Sequence, residues 1–252
     1  MKRQIGVAML VALTALAGFA SGARAQCTTG MMFAWGENAF AYESNYNPAT
    51  FISSNGSQLN VVGVLTVACQ MFSGLNPSDL NKEYTFLLTG LTSGGTTGPT
   101  PLAGGSTRWT TSYTGGNFFI YEGTPRNAPS ALAMPPSPPN ADVPSKYTDG
   151  TLILNGTLSG FSTTITRFSN GNYSNSFRGN YVFTPGGTLF GLVGPENGLL
   201  QGTWEANDDA DPGKIGLLDL PAGYSAHPIG KFDQPVTATQ SSTWGTIKQL
   251  YR

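Results

Sequence analysis

Apolar and β-branched runs, each punctuated by Gly or Asn-Gly, recur along this chain about every ten residues, the rhythm of a β-sandwich or barrel. Asn60–Met71 (NVVGVLTVACQM) is apolar on both faces and predicts a central strand. Glu83–Leu91 (EYTFLLTGL) alternates, with Tyr84, Phe86 and Leu88 on one face. Thr107–Tyr113 (TRWTTSY) places Thr107, Trp109 and Thr111 opposite Arg108 and Thr110. Asn117–Glu122 (NFFIYE) follows across Gly115-Gly116, a spacing that predicts a hairpin. Thr151–Leu158, Phe161–Phe168 and Ser176–Thr184 predict further strands, the last two joined by a several-residue loop at Asn170-Gly171. Leu189–Val193 and Leu199–Glu205 predict another pair around Pro195 to Gly198.

Helix-period patterns are nearly absent, and the polar positions explain why. Charged residues are only 11% of the chain, against about 25% in average proteins. Thr, Ser and Asn take their place, residues suited to strand surfaces and turns rather than to helix faces. The expectation is an all-β chain: an antiparallel β-sandwich of jelly-roll or immunoglobulin-like form, or a barrel.

One segment interrupts the rhythm. Residues 125–144 (PRNAPSALAMPPSPPNADVP) are too rich in proline for a central strand or a helix interior. They predict a long loop on one domain spanning 26–241, with an interdomain linker as the alternative.

The N-terminus predicts export. Lys2 and Arg3 precede an apolar run, and Ala23-Arg24-Ala25 has the small-x-small form of a cleavage site. Residues 1–25 are thus a signal peptide, and the expected location is secreted: extracellular, cell-surface or periplasmic. The run is short for a membrane span, which takes about 20 residues, and no later segment replaces it. Lys2, Arg3 and Arg24 leave with the leader, so the remainder is more acidic than the formal net charge of −1. That balance argues against nucleic acid as a partner, which calls for a basic footprint. Cys27 and Cys69 are the two cysteines, and in an oxidising compartment they predict a disulfide. Lipidation of Cys27 is the competing reading, and Gln26 before it is not the small residue such processing expects.

Most catalytic chemistries lack their residues. His227 is the single histidine, in a Ser-Ala-His-Pro stretch that predicts a surface loop. No Gly-x-Ser-x-Gly elbow and no phosphate-binding Gly-Lys loop occurs. Zinc needs several His or Cys ligands. Paired carboxylates stay open, because a glycoside hydrolase needs only two. Glu37, Glu43, Glu83 and Glu122 lie beside the aromatics Trp35, Tyr42, Tyr84 and Tyr121.

The function expected is therefore a secreted, non-catalytic surface, matrix or glycan-binding module, with a two-carboxylate carbohydrate hydrolase as the alternative. A polysaccharide or cell-surface component is the expected partner. Trp109, Tyr113, Phe119 and Tyr121 are the candidate ligand-binding rings, with burial in the core as the competing reading. The stretch Trp204–Lys214 (WEANDDADPGK) concentrates acids in a chain otherwise poor in them. Asn207, Asp209 and Asp211 alternate like the start of a calcium loop. Pro212 and Leu218 depart from that pattern, so a solvated turn stands beside calcium as the reading. At the C-terminus, residues 242–252 place Trp244, Ile247, Leu250 and Tyr251 at helical spacing. They predict a short docked helix or a recognition tail.

Overall fold

The structure, a computed structural model, describes residues 30–36, 38–128, 145–206 and 224–234. Its strands are β1 (Met31–Trp35), β2 (Ala39–Glu43), β3 (Tyr46–Asn47), β4 (Ile52–Ser53), β5 (Gln58–Val64), β6 (Val67–Ala68), β7 (Glu83–Pro101), β8 (Thr107–Gly123), β9 (Thr151–Arg167), β10 (Tyr173–Phe183), β11 (Asn197–Ala206) and β12 (Ala226–Asp233). Two one-turn helices, α1 (Ser145–Thr148) and α2 (Phe190–Val193), sit between them.

The main sheet closes on itself. Going round, β2, β5, β7, β8, β9, β10, β11 and β12 pair antiparallel, and β12 returns to β2, so eight strands form a barrel. β1 continues the line of β2 beside β12, and β6 pairs with β1. Each neighbour in the ring follows its predecessor in sequence, an up-and-down order. Of the sandwich and barrel alternatives, the sheet forms the barrel. Closure pairs every long strand on both sides and leaves no open edge among them.

Several predicted boundaries differ. Asn60–Met71 is not one strand but divides into β5, β6 and a 3-10 turn at Gln70–Phe72, and the strand predicted over Glu83–Leu91 runs on to Pro101. Gly115-Gly116 is not a hairpin: β8 runs straight through it. Thr151–Leu158 and Phe161–Phe168 are likewise one strand, β9. In both, glycine permits a positive φ inside the strand, 70° at Gly115 and 58° at Gly160, where a turn was the natural expectation. Leu189–Val193 holds the helix α2, not a strand, and packs Val193 into the core. The Asn170-Gly171 loop does join β9 to β10, with Phe168 N–H bonded to the Asn172 carbonyl at 2.8 Å. β8 and β9 pair along most of their length, so the proline-rich segment leaves from one strand and returns to its neighbour.

The barrel is filled by its own side chains. Along β10, Tyr173, Asn175, Phe177, Gly179, Tyr181 and Phe183 alternate inward without a break. Phe232 from β12 contacts Trp35, Phe118 and Tyr181, with ring centroids 5.2–5.7 Å apart. Such large rings fit an eight-stranded barrel because glycines stand opposite them. A Cβ on Gly156 would lie 2.4 Å from the Phe118 ring, and one on Gly202 would lie 2.8 Å from the Phe177 ring. Buried tips are satisfied: the Trp35 indole donates to the Pro228 carbonyl at 2.9 Å, and the Tyr181 hydroxyl to the Asp233 carbonyl at 3.0 Å.

A smaller core lies outside the ring. Phe40, Val62 and Val64 point outward from β2 and β5 and are covered by Tyr147 of α1 and by Tyr224. This explains the two apolar faces of Asn60–Met71: Val61 fills the barrel while Val62 meets the cover. His227 belongs here too. It is buried against the Phe40 ring on β12, not held in a surface loop. Among the described residues no helix is long and apolar enough to cross a membrane.

Candidate functional site

One end of the barrel is polar where the rest is aromatic. Glu43 ends β2 with its carboxylate pointing in, 6% exposed. The Ser53 hydroxyl donates to one carboxylate oxygen, and the Tyr113 hydroxyl donates to the other at 2.9 Å. Ser53 comes from the small β3–β4 hairpin, which folds over this end and inserts Phe51 between Trp109 and Tyr173.

The surrounding hydroxyls form a connected set. Ser93 Oγ lies 2.6 Å from Ser53 Oγ and accepts the Gly95 N–H at 3.0 Å. Ser53 has one proton and gives it to Glu43, so Ser93 is the donor between the two serines. Thr96 Oγ1 accepts the Ser53 N–H at 2.8 Å and meets Thr111 Oγ1 at 2.7 Å. Ser225 Oγ accepts the Glu43 backbone N–H at 2.9 Å.

No cation forms an ion pair with Glu43 among the described residues. Burial therefore raises its carboxyl above the ordinary 4.5, and the Ser53 and Tyr113 hydrogen bonds offset part of the rise. Burial and the neighbouring Glu43 push the Tyr113 hydroxyl well above its ordinary range. The set is built to hold a carboxyl group in a fixed place, with both of its oxygens already occupied.

The other carboxylates stand apart. Glu83 accepts the Ala128 N–H at 3.0 Å, and Glu122 pairs with Lys82 at 2.7 Å. Glu37 lies outside the described residues.

The four predicted ligand rings divide. All sit on β8 at odd positions, so an unbroken strand would show them on one face. The break at Gly115-Gly116 moves the alternation by one. Trp109 and Tyr113 face the barrel interior; below the break Phe118 and Ile120 do so instead. Phe119 and Tyr121 therefore face outward, half-buried, with centroids 6.4 Å apart and planes at 26°. Matching breaks at Gly90 on β7 and Gly160 on β9 let the strand pairing pass this level without slipping. Burial raises the Tyr121 hydroxyl. Asn155 of β9 is the register partner of Phe119.

A second outward feature was not predicted. A groove of about 570 Å³ crosses β10, β11, β12 and β1, with Arg178, Gln201 and Lys231 on one rim and Ser176, Thr203 and Ile229 on the other. A second groove of about 510 Å³ runs beside it over Asn180, Val182 and Asn197. Neither groove is lined by a carboxylate. The signal for the first was the strand alternation itself, which puts Arg178 and Lys231 outward; their alignment needs the β10–β11–β12 register, which sequence does not supply.

Of the remaining candidates, Asn207, Asp209 and Asp211, residues 1–25 and residues 242–252 lie outside the described residues. Among the described residues no group of three metal-ligating side chains occurs. Cys69 lies against the core, and no described cysteine is free; Cys27 is outside the described residues. The chain matches no family model, no curated protein and no solved structure.

Proposed function

We propose that this protein is a secreted, non-catalytic barrel that serves as a surface, matrix or glycan-binding module. The filled interior carries the reading: Trp35, Phe86, Phe118, Phe177, Tyr181 and Phe232 occupy the space where a lipocalin-like barrel would hold a ligand. A ligand must then meet the outer surface. The outward pair Phe119 and Tyr121 offers apolar ring area suited to the faces of sugar rings.

The hydrolase alternative has less support. It needs two carboxylates about 5–10 Å apart across a cleft, whereas Glu43 is taken up by Ser53 and Tyr113, and Glu83 and Glu122, one register step apart on β7 and β8, are taken up by the Ala128 N–H and by Lys82. Export is supported by the leader-like residues 1–25, and an oxidising destination supports pairing of Cys27 with Cys69.

Glycan arrays and polysaccharide pull-downs on the secreted protein test the reading. Retention is expected, with loss of neutral-glycan binding in the Phe119→Ala, Tyr121→Ala double variant. Release of reducing sugar from any retained polysaccharide would overturn the non-catalytic assignment.

A further inference from the structure

We propose that the groove over β10, β11, β12 and β1 binds a segment of acidic polysaccharide, with Arg178 and Lys231 taking its carboxylate or sulfate groups. The proposal rests on the glycan-binding reading above and adds a place and a ligand class to it.

The register builds the cationic rim. Arg178 pairs with Gln201, and Gln201 pairs with Lys231, so the three side chains stand in one row on the outer face. Two interstrand steps separate the charges by about 10 Å. Arg178 is exposed and enters no ion pair with a described residue. Lys231 is 43% exposed and spends one contact on Asp233, at 3.0 Å. The same Asp233 oxygen accepts from Gln201 at 2.8 Å, so it holds both side chains along the rim.

The floor carries no outward side chain. Between the two rims lies the register row Phe177, Gly202, Gly230 and Trp35; the two rings point into the barrel and the two glycines leave bare backbone on the outside. The Phe177 and Trp35 rings back it from inside, 6.2 Å apart and nearly parallel. The far rim supplies the Ser176 and Thr203 hydroxyls and the apolar Ile229.

Charge complementarity selects the ligand. Two cations line this groove in a chain of formal net charge −1. The nearest acid, Asp233, stands beside Lys231 and offsets part of its charge, which leaves Arg178 as the fully free one of the two among the described residues. Guanidinium and ammonium groups favour carboxylate or sulfate. Hydroxyl and amide groups around them suit a sugar backbone. Two cations are too few for a nucleic-acid footprint, whose affinity grows with each phosphate neutralised. The volume lies within the roughly 300–1,000 Å³ of small-ligand sites.

Calorimetry of the secreted protein with polygalacturonate, heparin and neutral dextran tests this, the first two separating carboxylate from sulfate. At least one polyanion is expected to bind, more weakly at high salt. R178Q and K231Q should each weaken that binding about tenfold, with melting temperatures unchanged, and K231R should retain it. D233N frees Lys231 and should tighten it, a gain that misfolding cannot produce. Unchanged affinity in R178Q and K231Q, or no binding of either polyanion, overturns the proposal. If neutral glycans still bind in the latter case, the broader glycan reading survives; if no glycan of any kind is retained, both fall.

Discussion

The two ends of the barrel solve the same packing problem with opposite chemistry. Around Phe232 the interior is ring against ring, seated on glycines. Around Glu43 it is hydroxyl against carboxylate, under the β3–β4 hairpin. Aromatic packing is weakly directional and gains with every buried area of ring. The polar end depends on each donor finding its acceptor, because a buried group left alone costs about 1–3 kcal/mol. The aromatic end should therefore dominate stability, and the polar end should set where the hairpin sits.

Adjacent residues on β8 test the first half of that comparison most strongly. Phe118→Ala removes a fully buried ring and should cost about 3–5 kcal/mol in denaturant unfolding. Phe119→Ala, one residue on but outside the barrel, should cost about 1 kcal/mol. Equal costs would mean that the alternation does not switch at Gly115-Gly116. Gly156→Ala tests the seat from the other side. Its Cβ would approach the Val182 carbonyl to 2.2 Å as well as the Phe118 ring, so backbone must move. A loss of about 2–3 kcal/mol is expected, where a glycine in an unconstrained strand would gain from the same change.

That pair of positions also shows what was legible in sequence. The alternation of Tyr84, Phe86 and Leu88, and of Trp109 and Thr111, reads directly from the residues and holds in the barrel. The β9–β10 loop at Asn170-Gly171 reads equally well. Gly115-Gly116 misleads, because glycine has one letter for two uses: it permits a turn, and it permits a break within a strand. Only Gly90, opposite Gly116 on β7, and Gly160, beside the break on β9, distinguish them, and these lie in other strands. Gly156 and Gly202 are silent for a related reason, since the ring each one seats comes from a neighbouring strand. The Glu43 site was hidden further still. Glu43 and Tyr113 stand out singly, as a carboxylate and a ring, but nothing in sequence joins them to each other or to Ser53 and Ser93, and only barrel closure with the hairpin folded over brings the four together.

At the polar end, acid should stabilise where most proteins are weakened by it. The folded carboxyl of Glu43 is raised above its unfolded value near 4.5. Folding then takes up a proton between those two values. The contribution of Glu43 is fully present below pH 4.5 and is lost as pH rises through the folded pKa. Glu43→Gln keeps a polar group in the site without the ionisation. Its melting temperature, compared with the parent across this range, should gain relative to the parent as pH rises. A constant difference between the two would show that Glu43 does not titrate abnormally. Tyr113→Phe removes one of the two donors and should cost about 1–2 kcal/mol at neutral pH, where the carboxylate needs it most.

The smallest effect separates a network from a set of pairs. Thr96 and Thr111 share one hydrogen bond, yet their losses should differ. Thr111→Val leaves Thr96 Oγ1 still accepting the Ser53 N–H, so the hairpin keeps its tie and the cost should stay below about 1 kcal/mol. Thr96→Val removes that acceptor and strands a partly buried N–H on the hairpin, and should cost about 1–2 kcal/mol. In the double variant the second change should add almost nothing, because the shared bond has already gone. Hydrogen exchange at Ser53 reports the hairpin directly. It should quicken in Thr96→Val and in the double variant but hold in Thr111→Val. If Thr111→Val alone releases Ser53, the hairpin is held by the hydroxyl set acting as a unit, and the polar end is cooperative in the way the aromatic end is.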